Sequence, residues 1–294
     1  ITPNGRSVSL TKTTLAENPV LVNKVFTVGS RKVGYLMYNG FYAEYDTNLN
    51  AAFGSLKEQA VTDLVLDLRY NSGGSVLSAA RLASMITGQF KGQVFAQQIW
   101  NKKINDYYEA NDPEAIKNRF DDKIGSTAIN SLGLSKIYIL TTRSTASASE
   151  LVINGLKPYI TVVQIGDITV GKNVGSRTVY DSPTFGSTKR NPNHRYAMQP
   201  IVFKVANSTG FGDYLGGITP NYELKEDYSN LGVLGESTEP YLSTALGKIS
   251  GASRMIKQSP EKSTILFNDS KAIDGIQNQM YVTTVLEGIL KPLD

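Results

Sequence analysis

Two stretches of this chain share one order of elements: a short apolar, β-branched run, then small residues, then an apolar helical pattern. The first passes from residues 62–69 through a Gly-Gly turn to a helical pattern at 76–86. The second passes from residues 136–142 through a Ser/Thr/Ala cluster to a helix that Pro158 ends. Apolar runs of this kind are typical of parallel strands buried on both faces. The chain therefore predicts an α/β fold with a parallel sheet and crossover helices.

Further segments agree with this fold class. Core strands are predicted at residues 32–38 and 160–165, and a returning helix at 47–60. Residues 239–248 have the pattern of a short amphipathic helix, with Pro240 in the first turn. These segments extend the alternation of strands and helices along most of the chain.

Two regions depart from the alternation. Between residues 88 and 134 the pattern breaks after a strand-like run at 93–100, and residues 101–126 show no firm period. We interpret this region either as an insertion that covers a cleft or as a solvated connection. Beyond residue 250 the sequence turns polar, with one apolar helix candidate at 280–290.

Ser147 stands where the second strand passes into its helix. It can act as the helix N-cap, with Glu150 three residues later in capping-box spacing. The helix start also brings a hydroxyl close to backbone N–H groups that lack intrahelical partners, that of Ala148 first among them. Such donors can form an oxyanion hole, although a plain N-cap is the commoner meaning of this pattern when it stands alone.

The Gly-Gly turn after the first strand contains Gly73 and Gly74. Paired glycines let a backbone N–H approach a ligand closely and tolerate positive φ, but they also occur in ordinary βα turns. A phosphate-binding loop is disfavoured, because neither Gly-x-Gly-x-x-Gly nor Gly-Lys-Ser/Thr is present here. Asp67 and Arg69 share one face of the preceding strand, so they predict a buried ion pair or a brace for the turn rather than acid/base chemistry.

Lys172 follows the predicted strand at 160–165, in a glycine-containing turn. A lysine can act as a general base only when it is neutral, so its pKa must fall from about 10.4 toward 7. That change corresponds to about 4 kcal/mol against the charged form. Burial among the apolar strands could supply it, whereas most lysines in such turns are solvated.

Three motifs in order carry a resemblance to a known family. They are Asp-Leu-Arg-Tyr-Asn-Ser-Gly-Gly at residues 67–74, Thr-Ala-Ser-Ala-Ser-Glu at 145–150 and Gly-Lys at 171–172. Together they resemble the carboxyl-terminal processing (tail-specific) protease family of Ser/Lys peptidases, over about residues 25–250. The resemblance implies a ClpP/crotonase-like spiral α/β core.

The resemblance also implies roles for individual residues. It makes Ser147 the nucleophile and Lys172 its general base, with oxyanion donors at Ala148 and at either Gly73 or Gly74. Many members carry a glutamine four residues after the lysine, where this chain has Ser176. The expectation is therefore a Ser/Lys dyad, with Ser176, the adjacent asparagine or a backbone carbonyl to orient the lysine.

The expected function is a serine endopeptidase that hydrolyses peptide bonds near the C-termini of unfolded or tagged proteins, without a cofactor or metal. The alternative is a catalytically silent peptide-binding module of the same fold. A crotonase-type acyl-CoA enzyme is disfavoured, because it would not need a serine and a lysine at this separation. The family resemblance favours a bacterial cell-envelope location, periplasmic or outer-membrane-anchored, with a lipid anchor upstream as one route.

The expected domain organisation has three parts. Residues 1–24 are interpreted as a linker or the end of a truncated upstream PDZ-like domain, and residues 25–250 as the peptidase core with the insertion at 88–134. Residues 251–294 form a C-terminal extension that could dock on the core or on a second chain.

Composition excludes several other kinds of site. The chain has no cysteine, which excludes a thiol nucleophile and zinc-cysteine sites. His194 is the single histidine and lies in a polar, loop-like cluster, so a Ser/His triad has no support. The net charge of +4 is spread thinly, which gives no support to nucleic-acid binding. No apolar run reaches the 18 or so residues that would span a bilayer.

Overall fold

The computed structural model describes residues 9, 11, 17–251 and 280–282. The helices are α1 Asp46–Glu58, α2 Val76–Thr87, α3 Lys102–Asn111, α4 Ala148–Leu156 and α5 Pro240–Ser250. The strands are β1 Val20–Val28, β2 Arg31–Tyr38, β3 Asp63–Asp67, β4 Gly74–Ser75, β5 Val94–Trp100, β6 Lys117–Arg119, β7 Lys123–Ile124, β8 Thr127–Ala128, β9 Lys136–Thr141, β10 Thr161–Gly166, β11 Val174–Arg177, β12 Val179–Tyr180, β13 Ala197–Met198, β14 Ile201–Asn207, β15 Tyr222–Glu223 and β16 Met280–Val282.

The first sheet has the strand order β1, β2, β3, β9, β10, β15. All neighbours from β2 to β15 are parallel, and only the edge strand β1 is antiparallel to its neighbour. Helix α1 connects β2 to β3, and α4 connects β9 to β10, as crossover connections require. The predicted α/β class with parallel strands is confirmed.

The two faces of the first sheet enter different apolar cores, because successive side chains on a strand point to opposite sides. Leu64 and Leu66 of β3 pack into the core that holds α1, α2 and α4. Val65, between them, packs on the other face with Leu242 and Ala245 of α5. Burial on both faces explains why these strands are almost uniformly apolar in sequence.

The second sheet has the strand order β4, β16, β11, β14, β5, β6. Its first three strands are parallel to one another, and the remaining pairs are antiparallel. Phe95 of β5 and Phe203 of β14 join the same core as α2 and α4. Helices α2 and α4 therefore share one core with both sheets.

The structure differs from the sequence-based prediction in three places. Strand β1 spans Val20–Val28, where the sequence patterns predicted no strand. The region 101–126, which shows no firm period, contains the helix α3, capped by Asn101, and the strand β6. Residues 280–282 form a strand rather than the start of a helix.

The strand at Met280–Val282 has a local cause. Residues 281–285 are all aromatic or β-branched, which favours a strand over a helix. The rest of the predicted helix at 280–290 lies outside the described residues. No helix in the described ranges is both long enough and apolar enough to cross a membrane.

Candidate active site

Ser147 lies on a sharp turn between β9 and α4. Its backbone has φ 63° and ψ −114°, a conformation that a residue with a side chain rarely adopts and that costs on the order of 1–3 kcal/mol. A serine on a strained turn from strand to helix presents its Oγ at the end of the sheet, as in a nucleophile elbow. The residue is fully buried, and its Oγ has no hydrogen-bond partner among the residues that the structure describes.

The carboxylate of Glu150 joins the serine turn to the lysine turn. Its Oε2 accepts the backbone N–H of Ser147 and the backbone N–H of Lys172, each at 2.8 Å. The two nitrogens therefore cannot be further apart than twice that distance. Its Oε1 accepts the Gly171 N–H at 2.6 Å and the Thr169 hydroxyl at 2.5 Å. Four donors thus converge on one fully buried carboxylate.

Lys172 is partly buried at this junction. Burial lowers the pKa of Lys172 from its ordinary value, and the negative charge of Glu150 opposes that change to a smaller extent. Within the described ranges its Nζ makes no hydrogen bond or ion pair, and in particular none to the Oγ of Ser147. The amine is therefore biased toward the neutral form that a general base requires.

The Gly-Gly turn meets the serine turn at Gly73. Its φ is +109°, and a Cβ placed there would lie 2.7 Å from the Cβ of Ser147 and 3.0 Å from the backbone nitrogen of Ala148. The Gly73 N–H donates to Asn71 Oδ1 at 2.9 Å. Gly74 instead lies against Phe41, whose carbonyl oxygen would be 2.3 Å from an added Cβ. The structure therefore brings Gly73, not Gly74, against the serine.

Asn71 and two threonines hold the two turns together. The carbonyl of Asn71 accepts the Ala146 N–H at 3.2 Å and the Ser149 hydroxyl at 3.0 Å. The hydroxyl of Thr145 donates to the Leu68 carbonyl at 2.9 Å, and that of Thr142 donates to the carbonyl of the next residue, 69. The Ser/Thr-rich composition of the motif is thus used to tie the serine turn to the end of β3.

A buried ion network lies behind the Gly-Gly turn. Arg69, only 2% exposed, is hydrogen-bonded to Asp67 through Nε and Nη2, which confirms the predicted ion pair. Its Nη1 also donates to Glu239 at 2.7 Å, a partner that sequence reasoning missed. Glu239 caps α5 by accepting the N–H of Leu242, so the network links α5 to the turn.

The proposed lysine-orienting residues have other contacts. The Ser176 hydroxyl donates to the carbonyl of Met280 at 3.1 Å. Asn173 donates to the Gly212 carbonyl at 2.6 Å, and its buried Oδ1 has no partner within the described part of the chain. His194 lies on a separate surface loop, where its Nε2 is 3.1 Å from Asp181.

Tyr214 is a second residue near the site that the sequence patterns did not predict. Tyr214 is 5% exposed, and its hydroxyl has no partner among the described residues. Burial raises the pKa of Tyr214, and the charge of Glu150 raises it further. The Gly-rich context of this residue contains no signal that would have placed it there.

A known protein family matches the part of the chain that contains these turns. The sequence model described as peptidase family S41 matches residues 32–208. A carboxyl-terminal-processing protease from Picosynechococcus sp. is 27% identical over 169 residues, which are 58% of this chain and 36% of that protein. The chloroplastic carboxyl-terminal-processing peptidase 2 of Arabidopsis thaliana is 28% identical over 174 residues, 58% of this chain and 30% of that protein. The matched part of the chain thus spans about a third of these relatives.

A solved structure gives the same relationship. A candidate S41 protease from Bacteroides fragilis superposes with a TM-score of 0.70 at 33% sequence identity. The superposition covers 82% of this chain and 60% of that one. Because the family model spans well over half of the chain, and includes both turns and the lysine, the chain belongs to peptidase family S41.

Proposed function

We propose that this chain is a serine endopeptidase with a Ser147/Lys172 dyad, which hydrolyses peptide bonds near the C-termini of unfolded or tagged polypeptides. Family membership supports the peptidase activity. The names of the carboxyl-terminal-processing relatives support the choice of substrate end.

The observation that carries the dyad is the shared carboxylate of Glu150. One buried oxygen accepts the backbone N–H of the serine and of the lysine, each at 2.8 Å, so the two backbone nitrogens lie no further apart than twice that distance. The strained Ser147 turn leaves its hydroxyl without a competing partner, and burial favours the neutral amine of Lys172. Hydrogen bonds between catalytic groups are often absent without substrate and form in the complex.

The mechanism follows from acyl transfer chemistry. Neutral Lys172 removes the proton of Ser147 Oγ as the oxygen attacks the scissile carbonyl, and the ammonium then protonates the leaving amine. Water hydrolyses the acyl-enzyme with the same lysine as base. The oxyanion would be held by the N–H of Ala148 and by that of Gly73, which would exchange its bond to Asn71 Oδ1 for one to the oxyanion. Loss of one such donor typically costs about 3 kcal/mol in barrier.

Two groups could orient the lysine in this scheme. Ser176 Oγ donates to a backbone carbonyl but keeps lone pairs that can accept from an ammonium. The unpartnered Oδ1 of Asn173 is the second acceptor. The variants Ser176→Ala and Asn173→Leu show which of the two groups orients the lysine. Only loss of the orienting group should shift the pH profile of cleavage.

A catalytically silent peptide-binding module is the second candidate. Two observations favour it: Ser147 and Lys172 share no hydrogen bond, and Ser176 stands where many members of the resembled family have glutamine. The predicted bacterial cell-envelope location stays a prediction, because the relatives include a chloroplast protein.

Incubation with casein tests the proposal. The parent chain should cleave it, whereas Ser147→Ala and Lys172→Ala should lower the rate by at least a hundredfold. Ser55→Ala and Lys57→Ala, both exposed on α1, are the matched controls and should leave the rate unchanged. Cleavage that survives both site substitutions would reject the dyad, and a parent that binds peptides without cleaving them would favour the silent module.

A further inference from the structure

The strand β16 lies between two strands that leave the candidate active site. Met280 pairs with Gly74 of β4 on one side and with Gly175 of β11 on the other. Both pairings are parallel. A segment more than a hundred residues further along the chain therefore fills the space between them.

Both neighbouring strands begin at the proposed catalytic groups. β4 starts directly after Gly73, which lies against Ser147. β11 starts at Val174, two residues after Lys172. The slot between β4 and β11 thus opens at the nucleophile and the base, and it runs away from them in the direction of β16.

A slot of this kind has a defined chemical requirement. The inner edges of β4 and β11 present backbone N–H and C=O groups, which need partners when they are buried. An extended polypeptide can supply those partners along both of its edges, whatever its side chains. The slot therefore suits a peptide strand of varied sequence.

We propose that the slot between β4 and β11 binds the part of the polypeptide substrate that follows the scissile bond, and that Met280–Val282 occupies it as an internal competitor. This inference rests on the proposed peptidase function. A substrate that lies there with the polarity of β16 would direct its N-terminal side toward Ser147. The residue at the position of Met280 would then belong to the leaving fragment.

The present occupant indicates which side chains the slot accepts. Met280 is fully buried and packs into the main apolar core, while its carbonyl accepts the Ser176 hydroxyl. The next side chain points to the other face. There, burial raises the pKa of Tyr281, and the charges of Glu44 and Asp46 raise it further. From the two residues that occupy the slot, we expect an apolar side chain at the position of Met280 and an aromatic one after it.

A disulfide can fix the segment in the slot. Arg177 and Val282 are direct partners across β11 and β16, and Cα atoms of adjacent strands lie within the range that a disulfide bridges. The chain has no other cysteine, so Arg177→Cys with Val282→Cys forms one defined bond. The oxidised double variant should cleave casein at least tenfold more slowly than its reduced form, and Val282→Cys alone should not respond to reductant.

A second variant releases the segment. Met280→Asp places a charge in a fully buried site and should expel the strand, provided that circular dichroism shows the variant to be folded. A tethered segment acts at millimolar effective concentration, so an added peptide competes poorly with it in the parent. A labelled peptide of residues 277–286 should bind the released variant at least tenfold more tightly than the oxidised double variant, both in a Ser147→Ala background.

The two readouts separate the slot from the dyad. The peptide could bind to the Met280→Asp variant and not to the oxidised double variant, while no variant cleaves casein. That result would support the slot and reject the dyad. Casein cleavage that is equally fast in the oxidised and reduced double variants would overturn the slot and leave the dyad intact. If Met280→Asp does not fold, the comparison of the oxidised and reduced forms decides alone.

Discussion

Replacing Glu150 with glutamine tests the junction between the serine and the lysine. The glutamine has the same shape, but only one of its two terminal atoms accepts hydrogen bonds. In Glu150, Oε1 accepts from Thr169 and Gly171, and Oε2 accepts from the backbones of Ser147 and Lys172. Whichever way the amide turns, two of the four donors will face an NH₂ group.

The cost follows from these lost acceptors. A buried donor without a partner costs about 1–3 kcal/mol, and removal of a buried charge offsets part of the total. We therefore expect Glu150→Gln to lower the free energy of unfolding by about 2–4 kcal/mol. Displacement of catalytic groups by about 1 Å can reduce a rate on the order of a hundredfold, so casein cleavage should fall by that factor.

Urea unfolding and initial cleavage rates measure the two effects. Glu58→Gln, on the exposed end of α1, is the matched control and should change neither quantity. A Glu150→Gln variant that loses less than about 0.5 kcal/mol and cleaves at the parent rate would refute the role of this carboxylate.

Three further predictions concern the base, the Gly-Gly turn and the ion network. In pH-dependent kinetics, the cleavage rate of the parent should rise with pH through the pKa of Lys172, which lies below its ordinary value of 10.5. The unfolded chain binds that proton more tightly than the folded chain, so urea melts should show the free energy of unfolding rising with pH between the folded and the unfolded pKa. Gly73→Ala, which places a Cβ 2.7 Å from Ser147, should destabilise the fold by about 1–3 kcal/mol in thermal melts and abolish cleavage. Glu239→Ala should cost about 3 kcal/mol in urea unfolding by leaving part of a buried guanidinium unpaired, against at most about 1 kcal/mol for the exposed Glu236→Ala.

Local patterns predicted the elements around the site. The apolar runs at 62–69 and 136–142 became β3 and β9, and the Asp67–Arg69 pair formed as its spacing indicated. These features could be predicted because each depends on residues that are near one another in sequence. The nucleophile, base and oxyanion assignments came from the family resemblance, and their chemistry stays a proposal.

Long-range contacts were beyond sequence reasoning. Glu150 has a capping-box position, and nothing local indicates that three further donors from residues 169–172 converge on its carboxylate. The partnership of Glu239 with Arg69 likewise depends on how α5 docks. The prediction of a helix at residues 280–290 was wrong at its start, where Met280–Val282 forms a strand. That prediction rested on the apolar residues of the segment and gave too little weight to its aromatic and β-branched residues, which favour a strand.

The most direct test of the dyad is the acylation of Ser147 itself. The parent and Lys172→Met are treated with a fluorophosphonate probe over a range of pH, and the modified residue and its rate of modification are determined by mass spectrometry. The account predicts that Ser147 is the labelled residue, that labelling accelerates as Lys172 loses its proton, and that Lys172→Met slows it at least a hundredfold. Equal labelling of the two proteins, or labelling at another residue, would contradict it.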